Sequence, residues 1–158
     1  MPLEIERKFL LKNNNWQAQA DSGTLFKQAY LNTAPERTVR VRIKGQEGFL
    51  TVKGKTEFRS RTEFEYQIPV EDAQAMLLLC ERPIIEKTRY LVKADDLIWE
   101  IDIFEGVNAG LSMAEVELKD PLQDLVLPDW IGKEVTEDIR YYNSNLVAYP
   151  FSEWKENL

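Results

Sequence analysis

Seven short segments of this 158-residue chain place charged side chains at every second position, with aliphatic or aromatic residues between them. The first is Leu3-Glu4-Ile5-Glu6-Arg7-Lys8-Phe9. Arg40 and Arg42 alternate with Val39, Val41 and Ile43. Lys53 follows Thr51, Glu65 follows Glu63, Arg89 follows Lys87, Asp102 follows Glu100 and Glu117 follows Glu115, each pair around one intervening residue. A period of two is the period of a β-strand, whose side chains point alternately to opposite faces. Each segment therefore predicts a strand with one apolar face and one charged face. Like charges side by side on a strand weaken it unless opposite charge or a bound ion lies nearby. A solvent face mixes polar residue types, whereas these charges are sorted by sign, acidic in some strands and basic in others.

The strands are expected at 3–11, 25–33, 37–44, 48–55, 60–68, 84–92, 97–104 and 112–119. Short helices are expected at 14–20, at 71–80 after Pro69, and at about 138–147 after Val135-Thr136-Glu137-Asp138. Asp129-Trp130-Ile131-Gly132 reads as a short helix or turn, and Pro150–Trp154 as a packed tail. No linker or internal repeat divides the chain, and its length suits one domain over 1–158. The fold class is mainly β, α+β by content: a sequential antiparallel meander that curls or closes into an eight-stranded barrel. On closure the charged faces line the lumen. Glu4, Glu6, Glu63, Glu65, Glu100, Asp102, Glu115 and Glu117 supply acid; Lys8, Arg40, Arg42, Lys53, Lys87 and Arg89 supply base. Unpaired buried ions are too costly for such a lumen to be a dry core, so it reads as a wet tunnel that binds ions. The apolar faces then point outward and call for cover by helices or by a second copy of the chain, a homodimer.

Composition narrows the function. A formal charge of −7 argues against a nucleic-acid or anionic-membrane surface. No apolar run reaches the length of a membrane helix. An outer-membrane barrel would need longer strands, aromatic girdles and an export signal, and the start MPLEIERKF has no apolar signal core. The single cysteine, Cys80, reads as a packed thiol on a helix and fits a reducing, cytoplasmic setting. Histidine is absent, so catalysis must use carboxylates, Lys, Tyr or metal-bound water, and any metal held by carboxylates is a hard cation, Mg²⁺ or Mn²⁺.

Glu4-Ile5-Glu6-Arg7-Lys8 has the form E-x-E-x-K, and with the later strands it resembles the CYTH superfamily, the triphosphate tunnel metalloenzymes. The resemblance runs through Val39–Arg42, Leu50–Gly54, Glu63–Tyr66, Lys87–Tyr90, Trp99–Asp102, Ala114–Leu118 and Glu134–Tyr142. It is strongest toward the short bacterial inorganic triphosphatases. What it implies is an eight-stranded tunnel that hydrolyses triphosphate with divalent metal. It assigns Glu4, Glu6, Asp102, Glu115 and Glu117 to metal, a set that suggests two ions. Arg40, Arg42, Lys53, Lys87 and Arg89 are assigned to phosphate, with Lys8 at the reacting end beside Glu6. One of Glu63 and Glu65 is expected to orient the water and the other to pair with a base. Glu100 reads as a rim residue, and Tyr30 either reaches the tunnel or packs at a strand end. Other outcomes open to the same architecture are a nucleoside or thiamine triphosphatase, a class IV-type adenylate cyclase, and a non-catalytic polyphosphate or nucleotide sensor.

Overall fold

The computed structural model describes residues 3–154. Among the described residues there are nine strands: β1 (Leu3–Leu11), β2 (Thr24–Asn32), β3 (Arg37–Lys44), β4 (Glu47–Gly54), β5 (Ser60–Ile68), β6 (Ile85–Ala94), β7 (Leu97–Phe104), β8 (Ser112–Glu117) and β9 (Ile131–Glu134). Two α-helices, α1 (Val70–Leu77) and α2 (Asn145–Ala148), join four 3₁₀ turns. Strand boundaries expected from alternation lie within about two residues of those observed.

The first eight strands close into an antiparallel barrel, in the order β5-β4-β3-β2-β6-β7-β8-β1, with β1 returning to β5. This corrects the expectation of one sequential meander. There are two meanders, β2–β5 and β6–β8, joined where β2 pairs with β6 and where β1 bridges β8 and β5. Local turn chemistry fixes the hairpins but carries no information about which meander edges meet. The β3–β4 hairpin turns on Gly45 and Gln46 alone, with Lys44 opposite Glu47. Gly45 has a φ of +60°, the left-handed region that a two-residue hairpin turn demands.

β1 shares one edge between two partners. Leu3, Glu4 and Ile5 pair with β5, and from Phe9 onward β9 takes over that edge. Asp129 and Trp130 form the turn expected there, while Ile131 and Gly132 belong to β9. Trp130 and Ile131 are buried there against Phe9, Trp99 and Val116, and that anchor draws the chain into strand pairing. The helix expected at 138–147 is also corrected. Residues Ile139–Tyr141 form a 3₁₀ turn capped by Asp138, which accepts from the Arg140 backbone N–H, and α2 begins only at Asn145. Tyr142, Asn143 and Ser144 between them face the lumen, and that demand breaks the helix.

Two of the three core clusters lie outside the barrel wall. On one flank, Trp16 from the 3₁₀ turn Asn15–Gln19 and Trp130 cover Trp99, Ile101, Val116 and Val92. On another, α1 lays Ala73 and Leu77 over Ala29 and Val41. Helix and sheet approach closely there, because a Cβ on Gly48 would stand 2.8 Å from that of Ala73. Cys80 packs just beyond α1, its thiol donating to the Met76 carbonyl at 3.3 Å. The third cluster fills one end of the barrel. Inward positions of β2, β6, β7 and β8 turn apolar there, as Tyr30, Ile85, Phe104 and Met113, and Tyr141, Leu146, Val147 and Trp154 pack onto them. Among the described residues, no helix is long and apolar enough to cross a membrane.

Candidate active site

The lumen encloses a cavity of about 180 Å³ whose lining is wholly polar and mostly charged. All the expected lumen residues point inward, and every one except Asp102 lines that cavity. Asp102 lies fully buried in the wall. Strand register sets the arrangement. Across β1 and β8, Glu6 stands opposite Glu117 and Lys8 opposite Glu115. Glu115 is in turn opposite Glu100, and Asp102 opposite Arg89. On the other side, Glu4 faces Arg61, and Lys53 faces Glu63.

Several of these groups are paired. Lys53 Nζ donates to both Glu4 oxygens, at 3.0 and 2.9 Å, and lies 3.5 Å from Glu63. Arg61 Nε donates to Glu4 at 3.2 Å. Burial alone would raise the Glu4 carboxyl, but Lys53 and Arg61 overcome it and hold the group well below the usual carboxylate range. Asp102 accepts from Lys87 at 2.7 Å and from Arg89 at 2.7 and 2.9 Å, and these two cations likewise outweigh burial and hold its carboxyl far down. Arg40 reaches Thr51 and Glu65, each at 3.2 Å, while its Nε–H is buried with no acceptor. Glu100 accepts from Arg89 at 3.2 Å, and burial raises its carboxyl.

Two regions are left with excess charge. Around Glu6 there is too much acid. Its nearest cation, Lys8, stands 4.0 Å away and is shared with Glu115 at 3.9 Å. Burial, then Glu115 and Glu4, push the Glu6 carboxyl up to about 8. Burial and Glu4 also raise Glu117. Around Phe26 there is too much base. Arg42 and Arg89 lie 4.7 and 4.8 Å from its ring centre, with Lys87 and Lys44 at 5.9 and 6.0 Å. Burial, then Arg40 and Arg89, pull Arg42 down to about 9. Burial pulls Lys87 down to about 7 despite its contact with Asp102.

Several lumen residues escaped the sequence reading. Arg61 shares the parity of Glu63 and Glu65, so the period of two could have revealed it. Gln28, on the face of β2 shared with Tyr30, is fully buried and accepts from Arg42 Nε at 2.8 Å. Tyr142, Asn143 and Ser144 lie in irregular chain, where no periodicity marks them. Tyr142 spreads its ring 4.5 Å from Lys8 Nζ, and Asn143 accepts from Lys87 at 3.0 Å. Tyr30, left open between two placements, does both: it lines the cavity and packs in the apolar cluster at the strand end.

The donor set suits a hard divalent cation, being carboxylate without histidine. Glu6 and Glu117 stand opposite each other with too little base to neutralise them, Glu115 lies 3.9 Å from both Lys8 and Arg89, and Glu4 and Asp102 are in ion pairs. No group of three acidic side chains is already converged as a metal cage among the described residues.

Comparison with known proteins agrees with the geometry. Residues 2–148 match the CYTH domain family. An inorganic triphosphatase of Acetivibrio thermocellus is 46% identical over 157 residues, covering 99% of this chain and all of that protein. An inorganic triphosphatase of Nitrosomonas europaea is 38% identical over 151 residues, covering 90% of this chain and 95% of the other. The crystal structure of the inorganic triphosphatase NE1496 superposes with a TM-score of 0.63 at 35% identity, covering 90% of this chain and 96% of that one. The charged lumen, the strand order and these matches lead to one conclusion: this chain belongs to the CYTH domain family.

Proposed function

We propose that this protein hydrolyses inorganic triphosphate to pyrophosphate and phosphate in the barrel lumen, with Mg²⁺ or Mn²⁺. The observation that carries the reading is the pair of opposite charge excesses within one cavity of about 180 Å³. A linear polyanion relieves the basic excess, and divalent cations relieve the acidic one. The relatives named as inorganic triphosphatases support the same substrate.

The phosphate chain lies along Arg40, Arg42, Lys53, Lys87 and Arg89. Arg supplies planar forks for phosphate oxygens, and Lys supplies point charges. Glu6, Glu115 and Glu117 hold metal, joined by Glu4 and Asp102 when two ions bind. Bound divalent metal supplies neutralisation of phosphate charge and an acidified water. Lys8, steadied over the Tyr142 ring between Glu6 and Glu115, contacts the phosphoryl group that is transferred. Glu65 is committed to Arg40 and Thr51, whereas burial and Glu4 raise the Glu63 carboxyl, so Glu63 is the better proton acceptor for the attacking water. Phosphoryl transfer then depends mainly on positioning and charge neutralisation.

A buried lone thiol at Cys80 fits a reducing compartment such as the cytoplasm. The homodimer expected from the apolar outer faces has its remaining motive at Val52, Phe64 and Tyr66, which the covering elements leave exposed. Phosphate release from tripolyphosphate with Mg²⁺ or Mn²⁺ tests the activity, with ATP and thiamine triphosphate run beside it. Release from neither metal overturns the reading. Preferential release from ATP makes the chain a nucleotide triphosphatase, and 3′,5′-cyclic AMP would make it a cyclase.

A further inference from the structure

Two uncharged amides stand behind the cationic region. Gln28 Oε1 accepts from Arg42 Nε at 2.8 Å, and Gln28 Nε2 donates to Asn143 Oδ1 at 3.0 Å. The same Asn143 oxygen accepts from Lys87 Nζ at 3.0 Å. The orientation of both amides is forced. Guanidinium and ammonium groups have no acceptor, so each must meet an amide oxygen. That choice leaves Gln28 only its N–H₂ to offer Asn143, whose oxygen is turned toward it by Lys87. The chain Arg42–Gln28–Asn143–Lys87 is thus consistent at every link. Gln28 and Lys87 are essentially inaccessible to solvent, at 0% and 1% exposure, so water does not replace a lost partner at their end. Asn143 belongs to the C-terminal segment, while the other three side chains come from β2, β3 and β6.

We propose that Gln28 and Asn143 are positioning residues, through which the C-terminal segment sets the direction of the Arg42 guanidinium and the Lys87 ammonium toward the phosphate chain. Without the amides, the two cations have other places to go. Both already lie beside the Phe26 ring, and Lys87 also reaches Asp102. Each amide draws one donor away from those contacts and fixes its angle. Such a pair acts as a unit, so breaking either link loosens both cations. The proposal rests on the triphosphatase reading, since it assigns the two cations to substrate.

The experiment is a cycle of Asn143→Ala, Gln28→Met and the double variant, with Asn143→Gln as the conservative control. KM and kcat for tripolyphosphate are measured with Mg²⁺, and metal-free binding of tripolyphosphate is measured by calorimetry. Each single variant is expected to raise KM and the dissociation constant about tenfold, the scale of one charge-assisted hydrogen bond, with kcat changed less. The double variant is expected to be no worse than the poorer single one, because the pair acts through one network. Asn143→Gln keeps an amide oxygen for both Lys87 and Gln28 without adding charge and should stay within about threefold of the parent, by the same hydrogen-bond count. Singles that bind and turn over like the parent, effects that multiply in the double, or a control as poor as Asn143→Ala overturn the positioning role alone. A lower melting temperature with unchanged KM assigns the pair a purely structural part and overturns it too. A parent that neither binds nor hydrolyses tripolyphosphate overturns the functional reading, and the positioning role falls with it.

Discussion

Glu6 and Lys87 occupy opposite regions of one lumen, and both are held away from their ordinary ionisation for mirrored reasons. Glu6 is buried among acids and rises to about 8. Lys87 is buried beside Arg89 and Arg42 and falls to about 7 despite Asp102. The acidic region has too few cations and the basic region too few anions, although the two share a cavity whose acids and bases nearly balance. Simple exchange of side chains would have neutralised both. Their separation stores a preference for a ligand pair, divalent cation on one side and polyanion on the other, because each bound charge replaces a missing one.

The separation can be broken from either side. The largest effect is expected for Glu6→Gln, which should lower metal-dependent phosphate release by about 100-fold or more, as loss of a ligand that serves the reacting centre does. Metal-free binding of tripolyphosphate should stay near the parent value in calorimetry. A parallel loss of binding would mean that the two regions are not independent. The converse is Arg42→Gln, expected to weaken tripolyphosphate about tenfold through one missing charge-assisted fork. Protection against thermal unfolding by Mg²⁺ alone should be retained in that variant, and its disappearance would again merge the regions.

A third effect concerns pH. A cation on Glu6 displaces its proton, so Mg²⁺ affinity should rise with pH, by up to about tenfold per unit, and level off near 8. Titration of Mg²⁺ at pH 6, 7 and 9 checks this, and an affinity flat across that range would detach metal from Glu6. The smallest effect is on stability without metal. A carboxyl raised on folding contributes stability that is whole below its ordinary 4.5 and is lost as pH climbs toward about 8. Glu6→Gln removes that slope, so its urea midpoint should gain on the parent between pH 5 and 9. A constant difference would count against like-charge crowding at Glu6.

The barrel was legible because every strand of its wall except β2 repeats one local rule, apolar outside and charged inside. Arg40, Lys53, Asp102 and Glu117 declare their face within three residues of sequence. Arg61 obeys the same rule and was overlooked only because its sign differs from Glu63 and Glu65. The joining of the two meanders was not legible, since pairing of Phe26 with Lys87 follows from global closure rather than from a turn. β9 was hidden for a similar reason. It is four residues long, includes Gly132, and exists because its partner Phe9 lies far off in sequence. Asn143 was beyond reach altogether: it sits in irregular chain, and its importance lies in what Gln28 and Lys87 require of it.

The divided edge of β1 bears on how the molecule is made. Leu3–Ile5 waits for partners at 60–62, and Glu6–Leu10 for partners at 113–117. Synthesised before its partners, the strand completes its pairing only after β8 has been made. Contacts this distant in sequence make for slow folding. The delay is also protective. Glu4, Glu6 and Lys8 stay hydrated until Lys53, Arg61 and Glu115 are in position to receive them, so no intermediate has to bury these charges alone. A chain cut short before Glu117 would lack both this seam and the site.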